Sequence, residues 1–308
     1  MKNSLLIIML AVALISCGSK KNVVTPTATE TETITETEKP MAPETPETPK
    51  TPEVEPEVID IPEPIVEEIE ETVLPEPEEV VEEMEEIIPA TPEIIFPNHA
   101  SFGQLLTTHV SPQGNVNYSG FKSNWSSLRA YIKDLGEHMP TDDWSKDDKL
   151  AYWMNAYNAM TIDLILRNQP IESIKDINKP WDQRYWKLGS KWYNLNEIEH
   201  DILRKMGDAR IHFGINCASF SCPPLLNEAF TGASVDTQLD KLSRAFVNDS
   251  QRNTITANSI EISKIFTWFA KDFKTDGSLI DFLNKYSDVT IASNAKKKYK
   301  DYDWTLNK

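Results

Sequence analysis

The chain lacks any apolar run long enough to cross a bilayer as a helix, which takes about 20 residues; its longest, Leu5 to Ile15, stops well short. It has no Gly-x-x-x-x-Gly-Lys loop, no Gly-x-Gly-x-x-Gly fingerprint and no Gly-x-Ser-x-Gly elbow. Their absence removes the usual signatures of nucleotide binding, dinucleotide binding and serine-hydrolase chemistry. Cysteine and histidine are scarce, at three and five in 308 residues. Basic charge is nearly missing from residues 22–95, where Lys39 and Lys50 face 22 Glu and Asp60. The net charge of −17 therefore resides in that segment, and the remainder is close to neutral. A near-neutral domain argues against a nucleic-acid partner, despite the basic "KKKYK" at 296–300.

What is present divides the chain in three. Lys2 followed by the short apolar run has the layout of an export signal. Leu14-Ile15-Ser16-Cys17 then resembles the bacterial lipobox, in which the cysteine is acylated and becomes the first mature residue. The expectation is a signal peptide over 1–16 and a lipid on Cys17 that holds the chain to a membrane. That places it in the bacterial cell envelope, at the outer membrane, with the domain in the periplasm or at the cell surface. Residues 17–95 carry thirteen of the 20 prolines. Such a stretch cannot bury enough apolar surface to offset chain entropy, so it reads as a disordered, extended tether. Within it, Val80, Val81, Met84, Ile87 and Ile88 fall at the spacing of a short acidic helix.

Residues 96–308 hold all eight tryptophans and all nine tyrosines, enough chain for one substantial core. Apolar spacing predicts helices over 121–136, 145–168, 194–207 and 235–249, with shorter ones over 264–274 and 278–286. Alternation predicts a strand over 211–216, a hairpin over 253–263 and a closing strand over 301–307. Interspersed helices and strands make this a single mixed α+β domain rather than a doubly wound sheet.

"RIHFGINCASFSCPPL", residues 210–225, concentrates the candidate chemistry. As a strand it would put His212, Gly214 and Asn216 on one face, with Gly214 a notch open to a ligand. Cys217 follows in a loop, and Cys222 before Pro223 predicts a helix start, where the dipole lowers a thiol pKa. Three chemistries fit. A Cys217–Cys222 disulfide suits an exported protein and would contribute about 2 kcal/mol. Alternatively Cys217 or Cys222 is a nucleophile, with His212 as base, Asn216 as orienter, and Asn155 and Asn158 as oxyanion donors or simply satisfied buried amides. In the third, Glu197 and His200, at i,i+3, join His212 and a cysteine around zinc, the only cofactor these residues suggest. Glu199 reads as a solvent or salt-bridge residue, and His99, His109 and His138 as loop positions.

"YWMNAYNAMTIDLIL", "LNEIEHDILR", "RIHFGINCASFSCPPL" and "YDWTLN", in this order, resemble the bacterial and plant family called domain of unknown function 547, over roughly residues 100–308. The resemblance implies the family's domain boundaries and the joint display of the Asn, Glu-His and His-Cys motifs, and no established activity. The same motifs carry a further resemblance to papain-like and transglutaminase-like thiol enzymes. The resulting expectation is a membrane-anchored envelope lipoprotein whose domain, 96–308, is a Cys/His-dependent hydrolase or transferase acting on an unknown envelope substrate. A non-catalytic binding or scaffolding module is the alternative. His212, Cys217 and Cys222 are expected at one pocket, with the helices of Asn155 and of Glu197 and His200 in its wall.

Overall fold

Ser145 starts the longest helix, α4 (Lys146–Asn168), by accepting a hydrogen bond from the Asp148 N–H. Asp147 and Asp148 in its first turn suit the positive end of the helix dipole. The sequence predicts one inward stripe, but every residue from Leu150 to Leu166 is buried. A helix covered all round is the central rod of a fold. The computed structural model describes residues 94–308; the expected signal peptide, Cys17, the tether and the helix around Met84 lie outside the described residues.

Around α4 lie α1 (His99–His109), α2 (Tyr118–Ser123) and α3 (Trp125–Glu137). The single helix expected over 121–136 is two, broken at Asn124, which serves as C-cap of α2 and N-cap of α3. α1 replaces an expected loop, and Asn98 caps it by accepting from the Ser101 N–H. His99 and His109 are thus helix residues: His99 Nδ1 lies 2.8 Å from the Tyr131 hydroxyl, and His109 Nε2 lies 2.8 Å from Asn124 Oδ1. His138, at the C-cap of α3, is the loop histidine expected.

Two 3-10 turns, Ile174–Asp176 and Pro180–Asp182, lead into an antiparallel hairpin, β1 (Trp186–Leu188) and β2 (Lys191–Tyr193). The hairpin is pinned to the rod by Asp163, which accepts from Trp186 Nε1 at 2.7 Å. The helix over 195–206 forms, with Gly207 ending it in the left-handed region as expected. Its middle, Ile198–Leu203, is a π-helix between α5 (Leu195–Glu197) and a closing 3-10 turn, Arg204–Met206. The wider turn changes which residues face inward: Leu203 is fully buried, whereas Ile202 is only half-buried. π segments of this kind recur at functional sites.

The stretch 211–216 is not a strand. Ile211–Gly214 forms one helical turn, α6, and the chain extends from Ile215 onward. The cause is α4: Asn158 Nδ2 donates to the Gly214 carbonyl, and Asn158 Oδ1 accepts from the Asn216 N–H, both at 2.9 Å. These bonds take the backbone groups a strand would use. Nor does a helix follow Cys222, since residues 223–230 are irregular. Pro224 disfavours the α conformation at Pro223, so a helix does not start there.

A second layer contains α7 (Val235–Val247) and a three-stranded sheet. The expected hairpin is present as β3 (Thr254–Ile255) and β4 (Ser259–Ile262), and β5 (Lys296–Tyr299), built from the basic cluster, pairs in parallel with β4. α8 (Ile265–Trp268), a 3-10 turn over Asp272–Lys274 and α9 (Leu279–Asn284) complete it. The expected closing strand is reduced to single bridges, Thr305 with Ser173 and Leu306 with Ser219. It still holds the cysteine loop, because the Phe220 N–H donates to the Thr305 carbonyl (2.7 Å) and the Asn307 N–H to that of Ala218 (3.3 Å). The result is a mixed α+β domain, and none of its described helices is long and apolar enough to cross a membrane.

Gly114 supports that loop from behind. Its φ is +81°, and a Cβ there would lie 2.5 Å from Pro224 Cβ and 2.8 Å from the Leu225 nitrogen. Gly114→Ala combines left-handed strain with backbone overlap, so a loss of about 2–3 kcal/mol is expected in denaturant unfolding. Wild-type stability in this variant would mean that the Pro223-Pro224 segment yields freely.

Candidate functional site: a thiol-lined aromatic cleft

Asn216 organises the cysteine loop. Its Oδ1 accepts from the Ala218 N–H and its Nδ2 donates to the Pro223 carbonyl, each at 2.8 Å. Ala218 is held at φ +60°, a region that non-glycine residues occupy only when surroundings enforce it. Pinned at both ends, the loop brings the Cys217 and Cys222 sulfurs to 3.0 Å, as free thiols. The Cys217 N–H also donates to Cys222 Sγ at 3.0 Å. Asn216 is therefore the clamp of the loop and not the orienter of an imidazole.

The two thiols differ. Cys222 is buried, whereas Cys217 is half-buried and has further partners. Ser219 Oγ lies 3.0 Å and the Tyr302 hydroxyl 3.3 Å from Cys217 Sγ. The Cys222 sulfur beside it, together with these hydroxyls, outweighs burial and lowers the Cys217 thiol to about 7. Burial and the neighbouring Cys217 push the Cys222 thiol well up, so no helix dipole activates it.

Both sulfurs open on a cavity of about 370 Å³. His200 and His212 share its wall with Glu199, Trp268, Phe269 and Trp304. The expected gathering of His212, Cys217 and Cys222 at one pocket is therefore what the geometry gives. No hydrogen bond joins His212 to either sulfur. Its ring stacks on Phe269, centroids 3.9 Å apart, and its Nε2 meets Asp272 Oδ2 at 2.8 Å. Burial lowers the His212 pKa and the bond to Asp272 only partly restores it. Asp272 is the true orienter, and it also binds Arg204 through two bonds of 2.7 and 2.8 Å. Against burial, the Arg204 and His212 bonds hold its carboxyl well below the usual range.

Asn155 and Glu197 stand outside the cavity wall. Asn155 is buried and ties α4 to Phe230, donating to its carbonyl (2.8 Å) and accepting from its N–H (2.9 Å). Asn158 serves α6 in the same manner, so both amides are satisfied structural ties. Glu197 pairs with Arg184 at 2.6 Å and Lys191 at 3.4 Å. The proposed zinc ligands Glu197, His200 and His212 are consequently not assembled, and the described residues contain no group of three or more His, Cys, Asp or Glu able to hold a metal. Glu197 is held away from the two histidines by Arg184 and Lys191, so the three do not converge on one point.

Glu199, read as a solvent residue, is the opposite. The π turn carries it into the core, where Tyr157 donates to its Oε2 at 3.1 Å, and burial raises its carboxyl to about 7. Sequence reasoning also missed Asp272 and Tyr302. Tyr302 and Trp304 belong to the terminal "YDWTLN", the one signal that pointed to them.

A half-buried thiol with a lowered pKa, a second thiol behind it and a buried carboxyl raised to about 7 thus line one aromatic cleft of the α+β domain. Residues 141–247 match the model of a family described as "Protein of unknown function, DUF547". That segment carries α4, the π helix, Cys217 and Cys222, while Trp268, Phe269, Tyr302 and Trp304 complete the cavity from beyond it and Asp272 holds His212 from behind. No curated protein and no solved structure matches the chain.

Proposed function

We propose that the domain is a thiol-dependent hydrolase or transferase with Cys217 as nucleophile. The observation that carries this reading is the placement of the Cys217 sulfur on the cavity wall, hydrogen-bonded by Ser219 and Tyr302 beside Cys222. The sulfur attacks an acyl carbon, forming a thioester as the leaving group departs. Glu199, protonated up to about pH 7, is the acid that supplies the departing group with its proton. Water or an amine then releases the acyl group. The lipobox-like Leu14-Ile15-Ser16-Cys17 supports anchoring to the cell envelope through a lipid on Cys17, with an envelope component as substrate.

Iodoacetamide alkylation across pH tests the nucleophile. A thiol at about 7 rather than 9 gains about 50-fold in thiolate at pH 7. Its lower basicity gives back about sixfold to tenfold of that. Cys217 should therefore react about fivefold to eightfold faster than an ordinary cysteine, with a midpoint near 7. Cys217→Ala should abolish the fast phase, and Cys222→Ala should move the midpoint upward, because the Cys222 sulfur is the largest cause of the shift. An ordinary midpoint at Cys217, or a fast phase that survives Cys217→Ala, overturns the reading.

A further inference from the structure

Acyl chemistry at Cys217 has no use for Cys222 as a reactant, yet the fold commits several bonds to keeping that second sulfur in place. Asn216 clamps the loop on both sides, and Asn307 Nδ2 donates to the clamp at 3.2 Å. Arg252 reaches across from the second layer, donating to the carbonyls of Cys222 (2.9 Å) and Phe220 (2.6 Å). The loop is thus fixed at the spacing that puts one sulfur 3.0 Å behind the other. Closing to a disulfide bond takes about 1 Å of further approach, within reach of side-chain rotation.

Access to the two sulfurs is unequal. Cys217 is half-buried beside an open cleft, and Cys222 is 4% exposed. An incoming molecule meets the more exposed Cys217 first, and Cys222, 3.0 Å behind it, is placed to react with what Cys217 has bound. From this order we infer that Cys217 and Cys222 form a reversible dithiol–disulfide pair that exchanges with external disulfides, a second activity beyond acyl transfer in which Cys222 becomes a reactant.

The step balances without a metal or cofactor. The co-reactant is an external disulfide, of a protein or of a small thiol. The Cys217 thiolate attacks one of its sulfurs, a mixed disulfide forms, and the first external thiolate leaves. Cys222 gives up its proton and its sulfur attacks Cys217 Sγ, expelling the second external thiolate. Two protein thiols are oxidised to one disulfide, one external disulfide is reduced to two thiols, and the protons of Cys217 and Cys222 end on the products. The reverse sequence reduces the protein and reoxidises the external thiols. In the disulfide state Cys217 has no thiolate, so acyl transfer is switched off.

The full chain can be equilibrated with glutathione and its disulfide at graded ratios, quenched with acid and alkylated. Cys217 and Cys222 fall in one tryptic peptide, Ile211 to Lys241. Both should lose alkylation together over a single two-electron transition and recover it on reduction. Cys222→Ser should accumulate the glutathione mixed disulfide at Cys217, at least about tenfold more than Cys217→Ser accumulates it at Cys222. Two thiols alkylated at every ratio, or a wild-type mixed disulfide on Cys217 that never resolves, overturns the pair, and needs no variant to observe. Equal trapping in the two serine variants overturns the order of attack. Fast alkylation of reduced Cys217 without disulfide formation would defeat this inference and leave the acyl-transfer reading standing. Ready disulfide exchange with no thioester on an acylating probe would do the reverse.

Discussion

Replacing Asp163 by alanine is expected to destabilise the folded chain by about 3–5 kcal/mol, the range for removing one partner of a buried charged network. Asp163 is fully buried in α4. It accepts from Trp125 Nε1 at 2.6 Å, Trp186 Nε1 at 2.7 Å and Arg167 Nε at 2.6 Å. Without it, the buried indole of Trp186 keeps an N–H with no acceptor, and each such donor costs about 1–3 kcal/mol. Arg167, a third exposed, can turn to water and recover part of the loss. Asp163→Asn retains acceptor capacity for the indoles and should lose less. The consequence reaches the cleft, because Trp186 pins the hairpin that follows Trp181 and Asp182 in the cavity wall. Denaturant unfolding reads the stability, and hydrogen exchange over 181–193 reads the loosening. A loss under about 1 kcal/mol in Asp163→Ala would mean that the indoles find other acceptors.

α4 was legible because its signals agree at every level: a serine cap, acids in the first turn, apolar periodicity and a proline soon after the end. What periodicity could not reveal was the depth of burial, since Asn155, Asn158 and Asp163 look like a polar face until their partners are known. Those partners lie on the Phe230 loop, on α6 and on β1, and no local pattern encodes them. The alternation Ile211, Phe213, Ile215 fits a strand, but one helical turn followed by extended chain buries the same three residues. Asn158 decides between them from more than fifty residues away. Gly214 illustrates the same point: its expected notch is filled, since a Cβ would lie 2.1 Å from Met154 Cε. The cysteines and His212 announced themselves by rarity and spacing, and they do share a cavity. Asp272 sits in an ordinary "KDFK" and gave no sign that it would orient His212.

Glu199 carries the last and most specific expectation. Burial raises its carboxyl from the ordinary 4.5 to about 7, only partly opposed by the Tyr157 hydroxyl. Between those two pH values the folded chain holds a proton that the unfolded chain has lost. Stability then falls as pH rises, because the native state binds more protons. The contribution is fully present below about 4.5, declines through the window and is gone above about 7. A tenfold change in proton affinity is worth about 1.4 kcal/mol, so across this window the contribution amounts to about 3 kcal/mol. Glu199→Gln keeps the shape and a partner for Tyr157 but cannot ionise. The stability difference between wild type and this variant should be flat below about 4.5, tilt against the wild type up to about 7, then level off. Denaturation midpoints at a series of pH values read the curve directly, and parallel profiles would show that Glu199 ionises alike in both states. The same substitution bears on the thiol. Ionised Cys217 adds to the rise of the Glu199 carboxyl, and a coupling of this kind acts on both partners. Removing the carboxylate should therefore move the alkylation midpoint of Cys217 to lower pH. An unmoved midpoint would separate the two groups electrostatically and take from Glu199 its part in the acid step.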